Sequence, residues 1–289
     1  MTDTTASMTD STVVIRSRSE HLRDYFAELW GYRALYPMLL RELTMRKFRN
    51  TMFGVWWIVI RPLIPTVMAV VSFTFVVKLD TKGVPYPIFY FAGFLVWTMF
   101  QSTMQFMPRT MTWMRGIMRK FYFPKLLIPL ASIVPPLLEL LVVLAMFLLT
   151  LAILYFKEGV FYVHFSWRLL LELPCLLMAF VLALSLGMIS SVLALYLRDI
   201  IFTVGYVTQL WLIATPVFYP IHNLPEKIRL LMFGFNPMAA LAETSRWALT
   251  GQGDFPGLWL LLSFLEIGLI ATCCTLFFIR AERFLGDTV

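Results

Sequence analysis

The sequence predicts an all-α protein that crosses a membrane several times. Hydrophobic residues make up 60% of the 289 residues and charged residues only 14%, against roughly 45–50% and about 25% in soluble domains. Apolar runs long enough to span a bilayer alternate with short polar or basic segments. The net charge of +7 sits beside these apolar runs, which indicates contact with lipid headgroups and excludes nucleic acid as a partner.

Three regions are predicted along the chain. Residues 1–30 are expected to be a flexible cytoplasmic tail that runs into an amphipathic region, because their first part is rich in Thr, Ser and Asp. Residues 31–54 are expected to contain an interfacial amphipathic helix, since leucines alternate with cations at helical spacing. An ordinary cytoplasmic helix is the alternative for this stretch. Residues 55–289 form the predicted transmembrane domain.

Six apolar runs predict six transmembrane helices. Their approximate bounds are 55–77, 88–107, 126–156, 169–196, 200–218 and 257–279. Pro62 and Pro65 predict a kink in the first span, and Pro129, Pro135 and Pro136 predict a broken start of the third. Small residues in the fourth span allow close helix contact; they are Ala183, Ser185, Gly187, Ser190 and Ser191.

Two half-length apolar runs precede the last span. Residues 228–235 and 238–249 are each too short to cross ~30 Å of hydrocarbon as a helix that rises 1.5 Å per residue. Prolines and glycines surround both runs. We therefore predict re-entrant or surface half-helices on the outer side of the membrane.

A basic and aromatic segment between the second and third spans sets the predicted orientation. Residues 113–129 contain Arg115, Arg119, Lys120 and Lys125 and no acid. Such an excess of cations is typical of cytoplasmic loops. Both termini are therefore predicted to be cytoplasmic, and the aromatic rings of this loop suit lipid headgroups or a protein partner.

Few residues are candidates for chemistry. The chain has no glycine-rich phosphate-binding loop that ends in Lys-Ser or Lys-Thr, so we predict that it binds no ATP and no cofactor itself. Glu139, Glu172 and Glu266 lie inside predicted spans. We expect Glu139 and Glu266 to be protonated and hydrogen-bonded to a neighbouring helix, because acids without a basic partner tend to become neutral. A polar patch on a substrate path or subunit interface is the alternative.

One face of the second span carries Tyr90, Phe94 and Trp97. An aromatic ring can stack on the apolar face of a sugar, so these side chains are candidates for a glycan path. Packed or lipid-facing rings are the alternative, because such rings are common in membrane helices.

Four stretches together resemble the membrane subunit of type-2 ABC exporters, the permeases that export O-antigen, capsule or teichoic acid. They are LRELTMRKFRNTMFGVWWIVIRPL at 40–63, MRKFYFPKLLIPLAS at 118–132, YLRDI at 196–200, and TPVFYP with NPMAALAETSRWAL at 215–220 and 236–249. The resemblance extends from about residue 30 onward. The N-terminal tail is longer than is typical of the family.

The resemblance implies a homodimer in the bacterial inner membrane that moves a polyprenyl-diphosphate-linked polysaccharide. Two copies of a cytoplasmic ATPase would bind ATP and magnesium. The segment 115–124 would be the main coupling helix, and the implied ATPase contacts are Arg115, Arg119, Lys120, Phe121, Tyr122, Phe123, Pro124, Arg198 and Asp199. The lipid headgroup would be drawn to Arg41, Arg46, Lys47 and Arg49, and the outer half-helices would cap the exit.

Other functions are compatible with the sequence. The exported molecule could be capsule, teichoic acid, or a smaller lipid or drug. An integral-membrane glycolipid transferase is an alternative of another class, but it would need acid–base or metal-binding residues that converge near one membrane face. The sequence offers only scattered Glu and His residues.

Overall fold

The computed structural model describes residues 22–49, 52–77, 79, 81, 83–163 and 166–288, and the regular structure in these ranges is helical. Of the region 1–30, predicted to be a flexible tail that runs into an amphipathic region, residues 1–21 lie outside them. The α-helices are α1 (Leu22–Gly31), α2 (Tyr36–Phe48), α3 (Trp57–Val71), α4 (Tyr86–Met118), α5 (Leu127–Ala131), α6 (Val134–Glu158), α7 (Glu172–Tyr196), α8 (Ile200–Ile213), α9 (Glu226–Phe235), α10 (Pro237–Thr250) and α11 (Gly257–Thr288).

Four helical segments in the described part of the chain are long and apolar enough to cross a membrane. They are Trp57–Val77, Leu127–Glu158, Trp167–Tyr196 and Gly257–Glu282. The predicted second span corresponds to α4, whose 33 residues include Gln, Thr and Arg side chains. The predicted fifth span corresponds to α8, which has 14 residues and a length of about 21 Å. A multi-span helical protein is therefore confirmed, and the number six stays a prediction.

The fifth predicted span ends earlier than expected. We predicted a helix over 200–218, but α8 ends at Ile213. Pro216 disfavours a helical conformation of the residue before it. The Asn236 amide also donates hydrogen bonds to the Ala214 carbonyl and the Thr215 hydroxyl, at 3.0 and 2.9 Å, and so fixes the turn that follows the helix.

The central helix is α4, which packs against α6, α7, α8 and α10. Most of its side chains are buried, and Trp97 and Phe100 are completely so. A helix that is enclosed on all sides belongs in the middle of a bundle. This placement explains why its aromatic side chains are so dense, because large rings fill the space between the surrounding helices.

Helices α4 and α7 approach closely at Gly187. A Cβ atom at this position would lie only 2.4 Å from the Met107 Cγ atom. The other small residues predicted to allow close contact, Ala183, Ser185, Ser190 and Ser191, are buried on the same helix. The prediction of a close helix contact in the fourth span is confirmed.

The proline-based predictions have two outcomes. The third span has a broken start, as predicted: α5 ends at Ala131, and α6 begins at Val134 with Pro135 in its first turn, where a missing N–H costs no helical hydrogen bond. Pro62 and Pro65 lie inside α3, and the kink expected at them stays a prediction. That helix then continues as a π-helical segment, Ser72–Val77, which the sequence did not indicate.

The two half-length helices before the last span are present as α9 and α10. Helix α10 is deeply buried against α4, α7 and α11, so it is not a surface helix. Asn236 begins it by accepting a hydrogen bond from the Met238 N–H at 3.1 Å. The same side-chain oxygen accepts a hydrogen bond from Trp211 Nε1 at 2.9 Å, which joins α10 to α8.

The amphipathic helix at the N-terminal side is α2. Leu39 and Leu43 are buried where α2 packs against α4, α5 and α6, while Met38 and Met45 are exposed. Its apolar side is thus partly covered by the protein itself. Its location at the membrane interface stays a prediction.

Two helices extend beyond their predicted ends. Helix α4 continues from residue 107 to Met118, and α11 continues from residue 279 to Thr288. The charged residues that follow each apolar run include good helix formers such as Arg and Glu. A change from apolar to charged residues therefore marks the end of a hydrophobic surface but not the end of a helix.

Candidate functional site

A polar cavity of about 220 Å³ lies where α2, α3, α4 and α6 meet. Its lining combines three cations, one carboxylate and several neutral side chains: Lys47, Arg61, Ser102, Gln105, Phe106, Arg109, Trp113 and Glu139. Three positive side chains and one negative side chain leave a formal excess of two positive charges. The cavity is therefore suited to an anionic group.

Glu139 is the anionic centre of this cavity. Its Oε1 atom lies 2.6 Å from Lys47 Nζ, and both side chains are only about one-tenth exposed, at 11% and 10%. Arg61 Nη1 lies 3.6 Å from the same oxygen. The expectation that Glu139 lacks a basic partner is therefore wrong, because α2 and α3 bring two cations to it.

Lys47 is an internal cation. Burial lowers the pKa of Lys47, because removal from water penalises the ammonium form. Glu139 opposes this effect, while the nearby charges of Arg61 and Arg109 lower the pKa further. The ammonium group also lies 5.2 Å from the centre of the Phe106 ring.

The four predicted headgroup cations do not share one surface. Arg46 is held by Glu42 at 2.6 Å and donates to the Trp113 carbonyl at 2.7 Å. Arg41 and Arg49 instead line an open groove of about 900 Å³ beside α2. The structure thus divides the predicted set into two groove cations and two cations, Arg46 and Lys47, that bond within the protein.

An exposed basic and aromatic surface follows α4. Phe121 and Tyr122 are 65% and 66% exposed, and Arg119 and Lys120 beside them are also exposed. The next two residues, Phe123 and Pro124, are buried and hold the segment against the bundle. Residues 121–124 are not helical, so the predicted coupling helix over 115–124 is wrong: α4 ends at Met118, and Pro124 disfavours a helical Phe123.

A second exposed segment follows α7 and carries Arg198 and Asp199. Arg115 connects the first segment to it, because its Nη2 atom donates to the Leu195 carbonyl near the end of α7 at 2.7 Å. Arg115 lies in the last turn of α4 and is only partly exposed. Arg115, which was predicted as an ATPase contact, thus links the two exposed segments.

Comparison with known proteins identifies the family. Residues 35–250, most of the chain, match the ABC-2 type transporter family. This chain belongs to the ABC-2 type transporter family. It is also similar to the O-antigen export system permease protein RfbA of Myxococcus xanthus, with 26% identity over 260 residues that cover 89% of this chain and 96% of RfbA.

The aromatic residues of the central helix do not form an open path in this ABC-2 transporter chain. Tyr90, Phe94 and Trp97 are at most 5% exposed. Tyr90 and Phe94 stack on one another with ring centres 4.8 Å apart. Within the single chain these rings are packed against other side chains, as in the alternative, and their role in a glycan path stays a prediction.

The other two acids inside predicted spans differ in their surroundings. Glu266 is half-buried on α11. Both carboxyl oxygens of Glu172, at the start of α7, are buried and have no hydrogen-bond partner among the described residues. Ser245 lies nearby, but its hydroxyl donates to the Ala92 carbonyl at 2.5 Å and so has no second proton to give.

Glu282 is a residue that sequence reasoning missed. It lies on α11 beyond the last apolar run, is 1% exposed, and accepts hydrogen bonds from the Tyr25 hydroxyl at 2.5 Å and the Lys125 N–H at 2.9 Å. An acid in a charged C-terminal segment normally indicates a solvated side chain. No local sequence signal pointed to its buried role in this transporter chain.

Proposed function

We propose that this ABC-2 transporter chain is the membrane subunit of an ATP-driven exporter of a lipid-linked polysaccharide. The observation that carries the proposal is the similarity of 89% of the chain to an O-antigen export permease. The exposed basic segment after α4 and the positively charged cavity support it, because such an exporter needs an ATPase contact and an anionic lipid carrier to bind. Capsule and teichoic acid remain alternative cargoes of the same class.

The proposed arrangement has six spans in the bacterial inner membrane, with both termini in the cytoplasm. Helices α4 and α8 would complete the set of four long apolar segments, since α4 is enclosed by other helices and need not be apolar toward lipid. Helix α10 would enter the membrane from the outer side without crossing it. A second copy of the chain would complete the path for the cargo.

The ATPase contact would comprise the exposed residues 119–122 together with Arg198 and Asp199. Two copies of a cytoplasmic ATPase would bind ATP and magnesium, and this chain would bind no cofactor. Exposed aromatic rings beside cations are typical of protein interfaces, where they supply contact area and orientation. Phe123 and Pro124 support this surface from below because both are buried.

Closure of the ATPase dimer on ATP would push on this surface and move the helices behind it as rigid bodies. Three contacts support such a transfer. Arg115 joins α4 to α7, and Phe123 packs in the core beneath the segment. Glu282 on α11 accepts a hydrogen bond from the Lys125 N–H. Displacement of residues 119–122 would then move α4, α7 and α11 together.

Purification from the native host tests the proposal. We expect an ATP-binding protein to co-purify in a fixed ratio and to hydrolyse ATP. The triple change Arg119→Glu, Lys120→Glu and Phe121→Ala should remove it, because these side chains are exposed and contribute charge and apolar area to the contact. Lys227→Ala on α9 is the matched control, since Lys227 is also an exposed cation. A monodisperse chain without an ATPase partner would contradict the proposal.

A further inference from the structure

We propose that the cavity between α2, α3, α4 and α6 binds a diphosphate group, and that Glu139 is a built-in counter-ion which this ligand displaces. The inference rests on the proposed function, because the diphosphate would be that of the lipid carrier. It adds Arg61 and Arg109, which the sequence did not single out as ligand residues, and it gives Glu139 a role in the transport cycle.

The charge of the cavity fits such a ligand. Lys47, Arg61 and Arg109 carry one positive charge each, and Glu139 neutralises only one of them. A diphosphate that is esterified at both ends carries one negative charge on each phosphate, which matches the remaining excess. Arginine is well suited to this contact because its planar fork binds two phosphate oxygens at once.

The size of the cavity favours a headgroup rather than a whole lipid or sugar. Its volume of about 220 Å³ lies below the roughly 300–1,000 Å³ of pockets for drug-sized molecules. A diphosphate fits such a space while the chains attached to it remain outside. Arg61 is 46% exposed, so its guanidinium can meet the ligand at the opening.

Arg109 has donors to offer inside the cavity. Its Nη1 atom donates to the Gln105 carbonyl on its own helix at 2.7 Å, and none of the described acidic side chains forms an ion pair with it. A guanidinium has five N–H donors. The remaining donors of Arg109 are therefore available for an anion, as is the side-chain amide NH₂ of Gln105 in the lining.

Glu139 explains how three cations can lie close together in this cavity. Without it, Lys47 and two arginines would repel one another in a space of low dielectric constant. The Lys47–Glu139 pair also connects α2 to α6. A diphosphate that replaced Glu139 at Lys47 and Arg61 would remove this connection, so ligand binding would favour a state in which α2 is released from α6.

Binding of farnesyl diphosphate and of inorganic diphosphate to the purified chain in detergent tests the inference. We expect both to bind to the wild type. Glu139→Gln should bind them more tightly and Arg109→Gln more weakly, each by about tenfold, the factor that one charge-assisted hydrogen bond supplies. Arg229→Gln on α9 is the matched control and should not change the affinity. Thermal unfolding without ligand verifies that each variant is folded, and Glu139→Asp, which keeps the charge, should bind like the wild type.

The inference is overturned if Glu139→Gln binds diphosphate no more tightly than the wild type, or if Arg109→Gln binds it equally well. It is overturned also if Glu139→Gln does not fold and both Arg61→Gln and Arg109→Gln leave the affinity unchanged. Phosphatidylglycerol separates the two sources of phosphate: if it competes as well as farnesyl diphosphate, the site binds any anionic headgroup and the diphosphate assignment fails.

Failure of the cavity assignment and failure of the proposed function can be told apart. If the ATPase partner co-purifies but diphosphate does not bind, the exporter proposal stands and the cavity assignment falls. If diphosphate binds with the expected order of variants but no partner is found, the cavity assignment stands and the exporter proposal falls.

Discussion

The Tyr25 hydroxyl in α1 donates a hydrogen bond of 2.5 Å to the Glu282 carboxylate in α11, across 257 positions of sequence. The other carboxylate oxygen accepts the Lys125 N–H at 2.9 Å. One buried side chain therefore joins the first and last described helices to the segment that follows the exposed residues 119–122. We therefore expect a displacement of those residues to be felt by α1 and α11 through Glu282.

The Lys125 amide provides a direct measure of this connection. Glu282→Ala removes its acceptor, so we expect faster hydrogen exchange of this amide and of its neighbours in residues 119–126. Glu282→Gln retains an oxygen at the same place and should preserve most of the protection. Tyr25→Phe should leave the amide protected but lower the free energy of unfolding by about 1–3 kcal/mol, because a buried carboxylate oxygen loses a donor.

Asp254→Asn is the control for this series, since Asp254 is exposed in the turn before α11. It should change neither exchange nor stability. Equal exchange rates in Glu282→Ala and the wild type would show that the Lys125 amide is protected by other contacts.

Arg115 is expected to affect coupling more than ATPase binding. Its guanidinium bonds to the Leu195 carbonyl, so Arg115→Met should loosen the contact between the last turns of α4 and α7. We expect the ATPase to co-purify almost normally while the amount of cargo moved per ATP hydrolysed falls several-fold. Arg119→Ala, in contrast, should reduce co-purification first, because Arg119 is exposed. Parallel loss of binding in both variants would assign Arg115 to the contact itself.

Local signals in the sequence predicted the local features of this fold. The broken start of the third span follows from prolines that act on their own turn, and the two half-length helices follow from run length and the breakers beside them. Gly187 was predicted because small residues on one helix face allow another helix to approach. Each of these properties depends on a few neighbouring residues, so it can be recognised without knowledge of the partner.

The charged residues were harder to predict because their roles depend on distant partners. The basic amphipathic pattern predicts that Lys47 is a headgroup cation. Its partner in the structure, Glu139, lies 92 positions away in the sequence. The aromatic face of α4 makes Tyr90 and Trp97 candidates for a glycan path, but other helices pack around α4 and enclose them. The same limit applies to Glu282, whose helix continues past the apolar run that defined the predicted span.

The pH dependence of diphosphate binding should report on Lys47. This lysine binds an anion in its ammonium form, and its pKa is lowered by burial. Affinity for diphosphate should therefore be retained at neutral pH. It should be lost as pH rises through the pKa of Lys47, which lies below the ordinary lysine pKa of 10.5. In Glu139→Gln the carboxylate no longer raises the pKa, so the loss should begin at lower pH.

Titration of the dissociation constant from neutral pH to about pH 10 measures this effect, since an unperturbed lysine is still charged over most of that range. Lys47→Arg is the matched control, because a guanidinium stays protonated and should flatten the profile. A wild-type profile as flat as that of Lys47→Arg would exclude Lys47 from the site. For folding, the sign is opposite: a lysine with a lowered pKa binds fewer protons in the folded state, so the free energy of unfolding rises with pH in the same window.

The contact of Gly187 with Met107 should limit stability of the bundle. A Cβ atom at Gly187 would lie 2.4 Å from Met107 Cγ and 2.7 Å from its Cβ, which are the least flexible atoms of that side chain. Gly187→Ala should therefore force α4 and α7 apart and lower the free energy of unfolding by about 1–3 kcal/mol. Gly268→Ala on α11 is the control, because no atom lies within 4 Å of the added methyl group there. Gly187→Ala should cost less stability when Met107→Ala is already present than it costs in the wild type, since the two changes act on one contact. Strictly additive effects on the free energy of unfolding in detergent would show that the cost of Gly187→Ala does not come from Met107.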